Sequence, residues 1–103
     1  IKKRLYEIDL QVNFDTSLAK LSNFEHSVLD FLNNYDMVVE QSANVFLKQI
    51  NSDDYNIHIY CYLNVTDFDQ FCIEKGKLNY EIMNIIKQND IKLALETMEI
   101  KNT

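Results

Sequence analysis

Residues 56–89, NIHIYCYLNVTDFDQFCIEKGKLNYEIMNIIKQN, decide the fold because they join the clearest strand pattern in the chain to its clearest helix pattern. At the start of this stretch, apolar residues alternate with histidine and tyrosine, as in a strand with two different faces. The predicted faces are Ile57, Ile59, Cys61 and Leu63 on one side and His58, Tyr60 and Tyr62 on the other. The second face is amphipathic rather than charged, so we expect it to meet another surface.

A sharp corner and a helix follow this strand. Thr66 and Asp67 are both predicted helix caps, and Gln70 follows Asp67 at the spacing of a capping box. Apolar residues then recur at helical spacing until Gln88-Asn89-Asp90, which we expect to end the helix. The predicted buried stripe consists of Phe68, Phe71, Leu78, Ile82, Ile85 and Ile86.

The amino-terminal part of the chain predicts a strand and a helix. Residues 5–12 alternate between apolar and polar side chains, and Asp15 or Thr16 is the predicted cap of the helix that follows. Asn33-Asn34 is expected to end this helix, since asparagine is unfavourable in helix interiors. Its apolar stripe consists of Leu18, Leu21, Phe24, Val28, Phe31 and Leu32.

Two more strands complete the predicted order. Residues 43–50 are predicted to form a strand with either Val45 and Leu47 or Phe46 and Ile50 inward, followed by a polar turn over 51–54. Residues 91–97 alternate again and predict a last strand that extends to Ile100. The order strand, helix, strand, strand, helix, strand predicts an α+β fold of the ferredoxin-like βαββαβ type. We expect one domain over residues 1–103, with an antiparallel four-stranded sheet and two helices on one face.

Composition narrows the classes of function. The net charge of −6 and the pI near 4.7 argue against a nucleic-acid partner, because phosphate binding needs clustered Lys and Arg. The sequence has no apolar run long enough to span a bilayer. It begins with Ile1, which suggests a piece of a longer protein. Cys61 and Cys72 are expected to be buried free thiols in a reducing compartment.

The sequence contains no pattern of residues typical of a catalytic site, a metal site or a cofactor site. His26 and His58 have no second histidine or cysteine at metal-ligand spacing, so we predict structural roles for both. Asp53-Asp54 and Asp67-Phe68-Asp69 lack the pattern of a calcium loop, and turn formation or helix capping accounts for them. The single glycine, Gly76, lies in a helical pattern, which excludes a glycine-rich phosphate loop.

Several stretches of this sequence resemble a known family. Val65-Thr66-Asp67-Phe68 resembles the strand-to-helix corner of that family. Leu78-Asn79 with Ile82 resembles the end of its next helix, and Asn89-Asp90-Ile91 takes the place of the turn that follows this helix. Upstream matches are Ile8-Asp9-Leu10, Val12-Asn13-Phe14-Asp15-Thr16 and Val45-Phe46. Together they resemble the carboxy-terminal cytoplasmic domain of the small-conductance mechanosensitive ion channel family. The chain departs from the family in having no proline at all and in placing Gly76 where a helix former is usual.

The resemblance implies one module of a homo-oligomeric, typically heptameric, cytoplasmic cage below a tension-gated pore that releases ions and osmolytes. The parent would lie in the inner membrane and reach it only through segments that precede this domain. Other copies of the same chain are the expected partners. The expected subunit interface comprises Tyr60, Tyr62, Met98 and Ile100.

Two other functions fit the predicted topology. A small regulatory ligand-binding module usually has a glycine-containing loop after the first strand, where this chain has Asn13-Phe14-Asp15-Thr16. An acylphosphatase-like enzyme needs an arginine in a glycine-rich phosphate loop, but Arg4 is the only arginine and precedes the first strand. The assembly role without catalytic residues is therefore the preferred hypothesis.

Overall fold

The computed structural model describes residues 3–94 and has an α+β fold. Its elements are the strand β1 (Arg4–Asn13), the helix α1 (Leu18–Asn33), the strands β2 (Asn44–Ile50) and β3 (Asp54–Leu63), and the helix α2 (Phe68–Gln88). The three strands form one antiparallel sheet in the order β1-β3-β2. The α+β class predicted from the sequence is therefore confirmed.

The core lies between one face of the sheet and the two helices. Alternate residues of β3 from Tyr55 to Leu63 are buried, whereas Tyr62 between them is exposed. Tyr6 and Val12 of β1 lie on the same buried face as these residues, because opposite residues of paired strands share a face. The helices contribute Leu21, Phe24, Val28, Leu32, Leu78, Ile82, Ile85 and Ile86.

The strand β2 lies at the edge of the sheet and is mostly exposed. Val45 packs against the core opposite Ile59, and Leu47 lies opposite Ile57, which agrees with the first of the two predicted registers. A bulge between Leu47 and Gln49 then shifts the alternation. The helices cover little of this edge, so Leu47 remains exposed although it lies on the inner face.

Three strands rather than four lie within residues 3–94. The predicted fourth strand has only its beginning there: Val12 and Leu93 form an antiparallel bridge, and the Ala94 amide donates to the Gln11 carbonyl at 2.9 Å. Residues 95–103, which include most of the predicted strand, lie outside the described part of the chain.

The helix α1 begins later than predicted. Its N-cap is Ser17, whose hydroxyl accepts a hydrogen bond from the Lys20 amide, so the prediction of Asp15 or Thr16 as the cap is wrong. Both residues belong to a preceding turn, because the amides of Asp15 and Thr16 donate to the side chain and the carbonyl of Asn13. Leu18 consequently stands at the first helical position and is exposed rather than buried.

The helix α2 begins at the predicted corner. Asp67 is its N-cap and accepts from the Gln70 amide at 2.9 Å, whereas Thr66 is not a cap. The capping box is only half formed, since the Gln70 side chain donates to Glu74 instead of returning to residue 67. Phe68, at the first helical position, is exposed and not part of the buried stripe.

The end of α2 carries a Schellman-type cap. The Asp90 amide donates to the Lys87 carbonyl, and the Ile91 amide donates to the Ile86 carbonyl. Asp90 adopts a left-handed conformation with φ of 54°, a position where glycine is usual. The cap directs Ile91 into the core and starts the segment that meets β1.

The central strand β3 and the edge strand β2 should respond differently to loss of apolar volume. Ile59→Ala removes a fully buried side chain from β3 and is expected to lower the free energy of unfolding by about 2–5 kcal/mol. Ile50→Ala on β2 is the matched control, because Ile50 is exposed, and should change it by less than about 0.5 kcal/mol. Equal effects of the two substitutions in urea unfolding would contradict this fold.

Candidate assembly surface

The face of the sheet turned away from the helices is the candidate functional site, here called the open face. Its three strands each contribute side chains, and β3 supplies the middle of the surface because it pairs on both sides. The open face consists of Leu5, Glu7, Asp9, Phe46, Lys48, His58, Tyr60 and Tyr62.

A histidine between two carboxylates forms the centre of the open face. His58 Nδ1 lies 2.6 Å from Asp9 Oδ1, and His58 Nε2 lies 3.5 Å from Glu7 Oε1. Lys48 Nζ approaches the other Asp9 oxygen at 3.6 Å, so this network links all three strands. The hydrogen bond from His58 is the main reason that the pKa of Asp9 lies below its usual value.

Aromatic and apolar side chains surround this polar centre. The His58 ring lies 5.5 Å from the Phe46 ring and 5.7 Å from the Tyr60 ring, measured between centroids. At one end of the surface, Tyr62 is opposite Leu5, and both are about two-fifths exposed. A surface with exposed aromatic residues around internally paired charges is typical of protein contacts rather than of a catalytic site.

The structure brings together two of the four predicted interface residues. Tyr60 and Tyr62 both lie on the open face, while Met98 and Ile100 lie outside the described residues. Sequence reasoning missed the contact of His58 with the carboxylates of β1. The signal was available in principle, because an antiparallel register that pairs Ile8 with Ile59 also places Asp9 opposite His58.

The only arginine of the chain connects the start of β1 to the corner before α2. Arg4 Nε and Nη2 donate to the Thr66 carbonyl at 3.2 and 3.0 Å. The same guanidinium lies over the rings of Phe68 and Phe71 at 5.6 and 5.8 Å. Thr66 thus acts through its backbone, and Phe68 remains exposed because it stacks on Arg4 instead of entering the core.

On the other side of the sheet, a buried carboxylate joins α2 to the segment that follows α1. Glu74 is only 4% exposed, and its oxygens accept from Tyr35 Oη at 2.6 Å and from the Gln70 amide group at 3.0 Å. The hydrogen bond from Tyr35 is the largest cause that lowers the pKa of Glu74. Burial and this carboxylate raise the pKa of Tyr35 to about 12, so the phenol keeps its proton and donates.

The thiols and the histidines offer no sign of reactivity. Burial raises the pKa of the Cys61 thiol to about 12, which keeps it protonated and unreactive. Cys72 is exposed on α2, so the prediction that both thiols are buried is wrong for this residue. His26 Nδ1 lies 2.9 Å from the Ser22 carbonyl within α1, a local contact. Among residues 3–94, no three histidine, cysteine or carboxylate side chains are placed to hold a metal ion.

Arg4 contacts two aromatic rings and donates two hydrogen bonds to the Thr66 carbonyl, an arrangement that needs a planar guanidinium. Arg4→Lys keeps the charge but loses the paired hydrogen bonds, and is expected to cost about 1 kcal/mol of folding free energy. Lys92→Arg, the reverse exchange at an exposed residue, is the control and should be near neutral. Chemical denaturation measures both, and an unaffected Arg4→Lys chain would contradict the role assigned to this corner.

Glu74 predicts a specific pH dependence of stability. Its pKa is lower in the folded chain than in the unfolded chain, so its contribution is present above the unfolded value and is lost as pH falls through the folded value. Glu74→Gln should therefore lower the melting temperature near neutral pH, and the difference from the unchanged chain should shrink as the pH falls below the usual range of a glutamate pKa.

The control for this prediction is Glu40→Gln, since Glu40 is exposed. Its melting temperature should follow that of the unchanged chain at every pH. A difference between the Glu74→Gln chain and the unchanged chain that stays constant from neutral to acid pH would show that ionised Glu74 does not stabilise the fold.

Comparison with known proteins places these features in a family. The family model described as mechanosensitive ion channel MscS, C-terminal, matches residues 6–93. Comparison with curated proteins gives no match. No helix among residues 3–94 has the length and apolar character needed to cross a membrane.

Solved structures with the same fold come from the plant Arabidopsis thaliana. Three cryo-EM structures of its protein MSL1, one of them a variant and one described as wild type, match with a TM-score of 0.81 and 14% identity. Each match covers 93% of this chain but only 34–36% of the MSL1 chain, so this chain spans about a third of that protein. Because the family model covers nearly all of the described residues, the chain belongs to the mechanosensitive ion channel MscS family and corresponds to its C-terminal part.

Proposed function

We propose that this chain is the cytoplasmic assembly domain of a homo-oligomeric mechanosensitive channel that releases ions and osmolytes under membrane tension. It would be one domain of a longer protein of the inner membrane, with seven copies forming a cage below the pore. The domain would have no catalytic residues and would bind no cofactor. Its net charge of −6 would favour entry of cations over anions into the cage.

The observation that carries this proposal is the family match over residues 6–93, together with an open face that has the composition of an interface. The helices bury one face of the sheet and leave Tyr62, Phe46 and Leu5 exposed on the other. The Asp9 carboxylate of this face already contacts Lys48 and His58 of the same chain. A neighbouring copy could therefore cover Asp9 without leaving this carboxylate unpaired.

We also propose that the sheet gains a fourth strand beside β1, in the ferredoxin-like order. The bridge between Val12 and Leu93 fixes an antiparallel register. Continued along β1, this register would put Leu95 opposite Leu10, above an apolar groove of about 560 Å³. The groove lies between β1 and α2 and is lined by Ile8, Asp9, Leu10, Asn79, Ile82, Met83, Ile86, Lys87 and Leu93.

The same register supports the proposed interface. It would place Met98 opposite Glu7 and Ile100 opposite Leu5, on the open face. Glu7 and Leu5 are themselves opposite Tyr60 and Tyr62. The four residues predicted to form the interface would then be neighbours on one surface.

The full-length parent protein tests the assembly role. In mild detergent, light scattering should give the mass of an oligomer, and Tyr60→Lys combined with Tyr62→Lys should lower that mass by placing unpaired charges in the contact. Leu18→Lys is the control, because Leu18 is exposed on α1 away from the open face. A monomeric unchanged protein would refute the proposal.

A ligand-binding module of the same topology makes a different prediction. Its melting temperature would rise with a bound amino acid or nucleotide, because a ligand that binds only the folded state stabilises it. The assembly role predicts no such shift in a thermal screen of the 103-residue chain.

A further inference from the structure

The helix α2 has a second stripe on the side opposite to the core. We call it the outer stripe. Its successive residues are four, three, four, three and four positions apart in the sequence, which is the spacing of a coiled-coil seam. The outer stripe consists of Asp69, Ile73, Gly76, Tyr80, Met83 and Lys87. Its three large apolar members are well exposed, with Ile73 at 53%, Tyr80 at 76% and Met83 at 50%.

Gly76, in the middle of the outer stripe, is not required by any close packing among residues 3–94. It does not adopt a positive φ, and a Cβ atom added to it would meet nothing within 4 Å. Glycine in a helix interior costs about 1 kcal/mol relative to alanine. Neither its backbone conformation nor the packing of residues 3–94 requires glycine here, and the open space would admit the side chain of another molecule.

We propose that the outer stripe of α2 binds the outer stripe of a second copy of this chain in an antiparallel, two-fold symmetric pair. The spacing of the stripe is symmetric about Leu78, because positions 69 and 87, 73 and 83, and 76 and 80 are equally far from residue 78 in the sequence. An antiparallel copy therefore brings Tyr80 onto Gly76 of the partner helix, and Ile73 onto Met83. The open space at Gly76 receives the large ring of Tyr80, as a knob fits a hole.

The charges at the two ends of the stripe fit the antiparallel arrangement. Asp69 lies in the first turn of α2 and Lys87 lies in the last turn. Both are exposed, and the two-fold axis brings Asp69 of one copy to Lys87 of the other at each end of the contact. A parallel pair would instead place like charges together, which is unfavourable.

The size of the contact sets its strength. The apolar part of the stripe extends over residues 73–83, or about 15 Å of helix at 1.5 Å per residue. A single pair of helices this short buries less surface than the roughly 800 Å² per partner of a stable interface. The isolated chain should therefore associate weakly, in the micromolar to millimolar range.

This pair uses a different surface from the open face and, because a two-fold contact cannot form between neighbours of a seven-membered ring, it would join copies of the chain from separate rings. It borders the groove between β1 and α2, because Met83 and Lys87 belong to both. Failure of the helix pair would leave the assembly of the parent protein untouched. Conversely, a parent protein that is monomeric in detergent would refute the channel assembly. The pairing of the 103-residue chain would still be tested by its own dissociation constant.

Gly76→Leu separates folding from association. The new side chain has free space in the folded chain and removes the cost of glycine, so the melting temperature of a dilute sample should rise. The same side chain fills the space needed by Tyr80 of the partner, so the dissociation constant measured by sedimentation equilibrium should increase by about tenfold or more. Lys75→Leu adds the same residue to α2 outside the outer stripe and should leave the dissociation constant unchanged.

Disulfide trapping tests the orientation. In a Cys72→Ser background, a mixture of Ile73→Cys chains and Met83→Cys chains should give mainly the mixed disulfide, because the antiparallel pair places these positions together. Homodisulfides in excess would contradict the antiparallel pair. A chain that stays monomeric to about 1 mM, or one whose dissociation constant is unaffected by Gly76→Leu, would overturn the proposal.

Discussion

The structure depends on the position of β3, which pairs with β1 on one side and with β2 on the other. A strand with a neighbour on each side forms its backbone hydrogen bonds within the sheet. Its side chains alternate between the two faces of the sheet, so each face has its own set of residues. One face of β3, from Tyr55 to Leu63, is buried against the helices, and the other carries His58, Tyr60 and Tyr62. The central position of β3 therefore puts one set of its side chains in the core and the other set on the open face.

The corner after β3 positions α2 and the start of β1 relative to this strand. Asp67 starts α2 directly after the strand, and Arg4 fixes the start of β1 to the same corner through the Thr66 carbonyl. At the other end of α2, the cap at Asp90 turns Ile91 into the core and brings Leu93 to β1. The corner at residues 65–68 is thus the junction that aligns β1, β3 and α2.

The sequence predicted those features that depend on periodicity and missed those that depend on contacts between distant residues. The alternation of β3 and the apolar stripes of both helices could be read directly, because burial repeats with the period of each element. Leu18 and Phe68 fit the apolar spacing, but each is the first residue of its helix and is exposed, Phe68 beside the Arg4 guanidinium. Ser17 is the cap of α1 because the amides of Asp15 and Thr16 already donate to Asn13. Glu74 stands at helical spacing between Phe71 and Leu78, but its burial depends on Tyr35, which is distant in sequence.

We propose that other copies of the chain cover the open face, which residues 3–94 leave exposed. Hydroxyl-radical footprinting measures this directly by comparing the 103-residue chain at low concentration with the assembled full-length parent. Tyr60 and Tyr62 should become protected in the parent, while Phe14, exposed on a loop, should react equally in both. Equal reactivity of Tyr60 and Tyr62 in the two samples would contradict it.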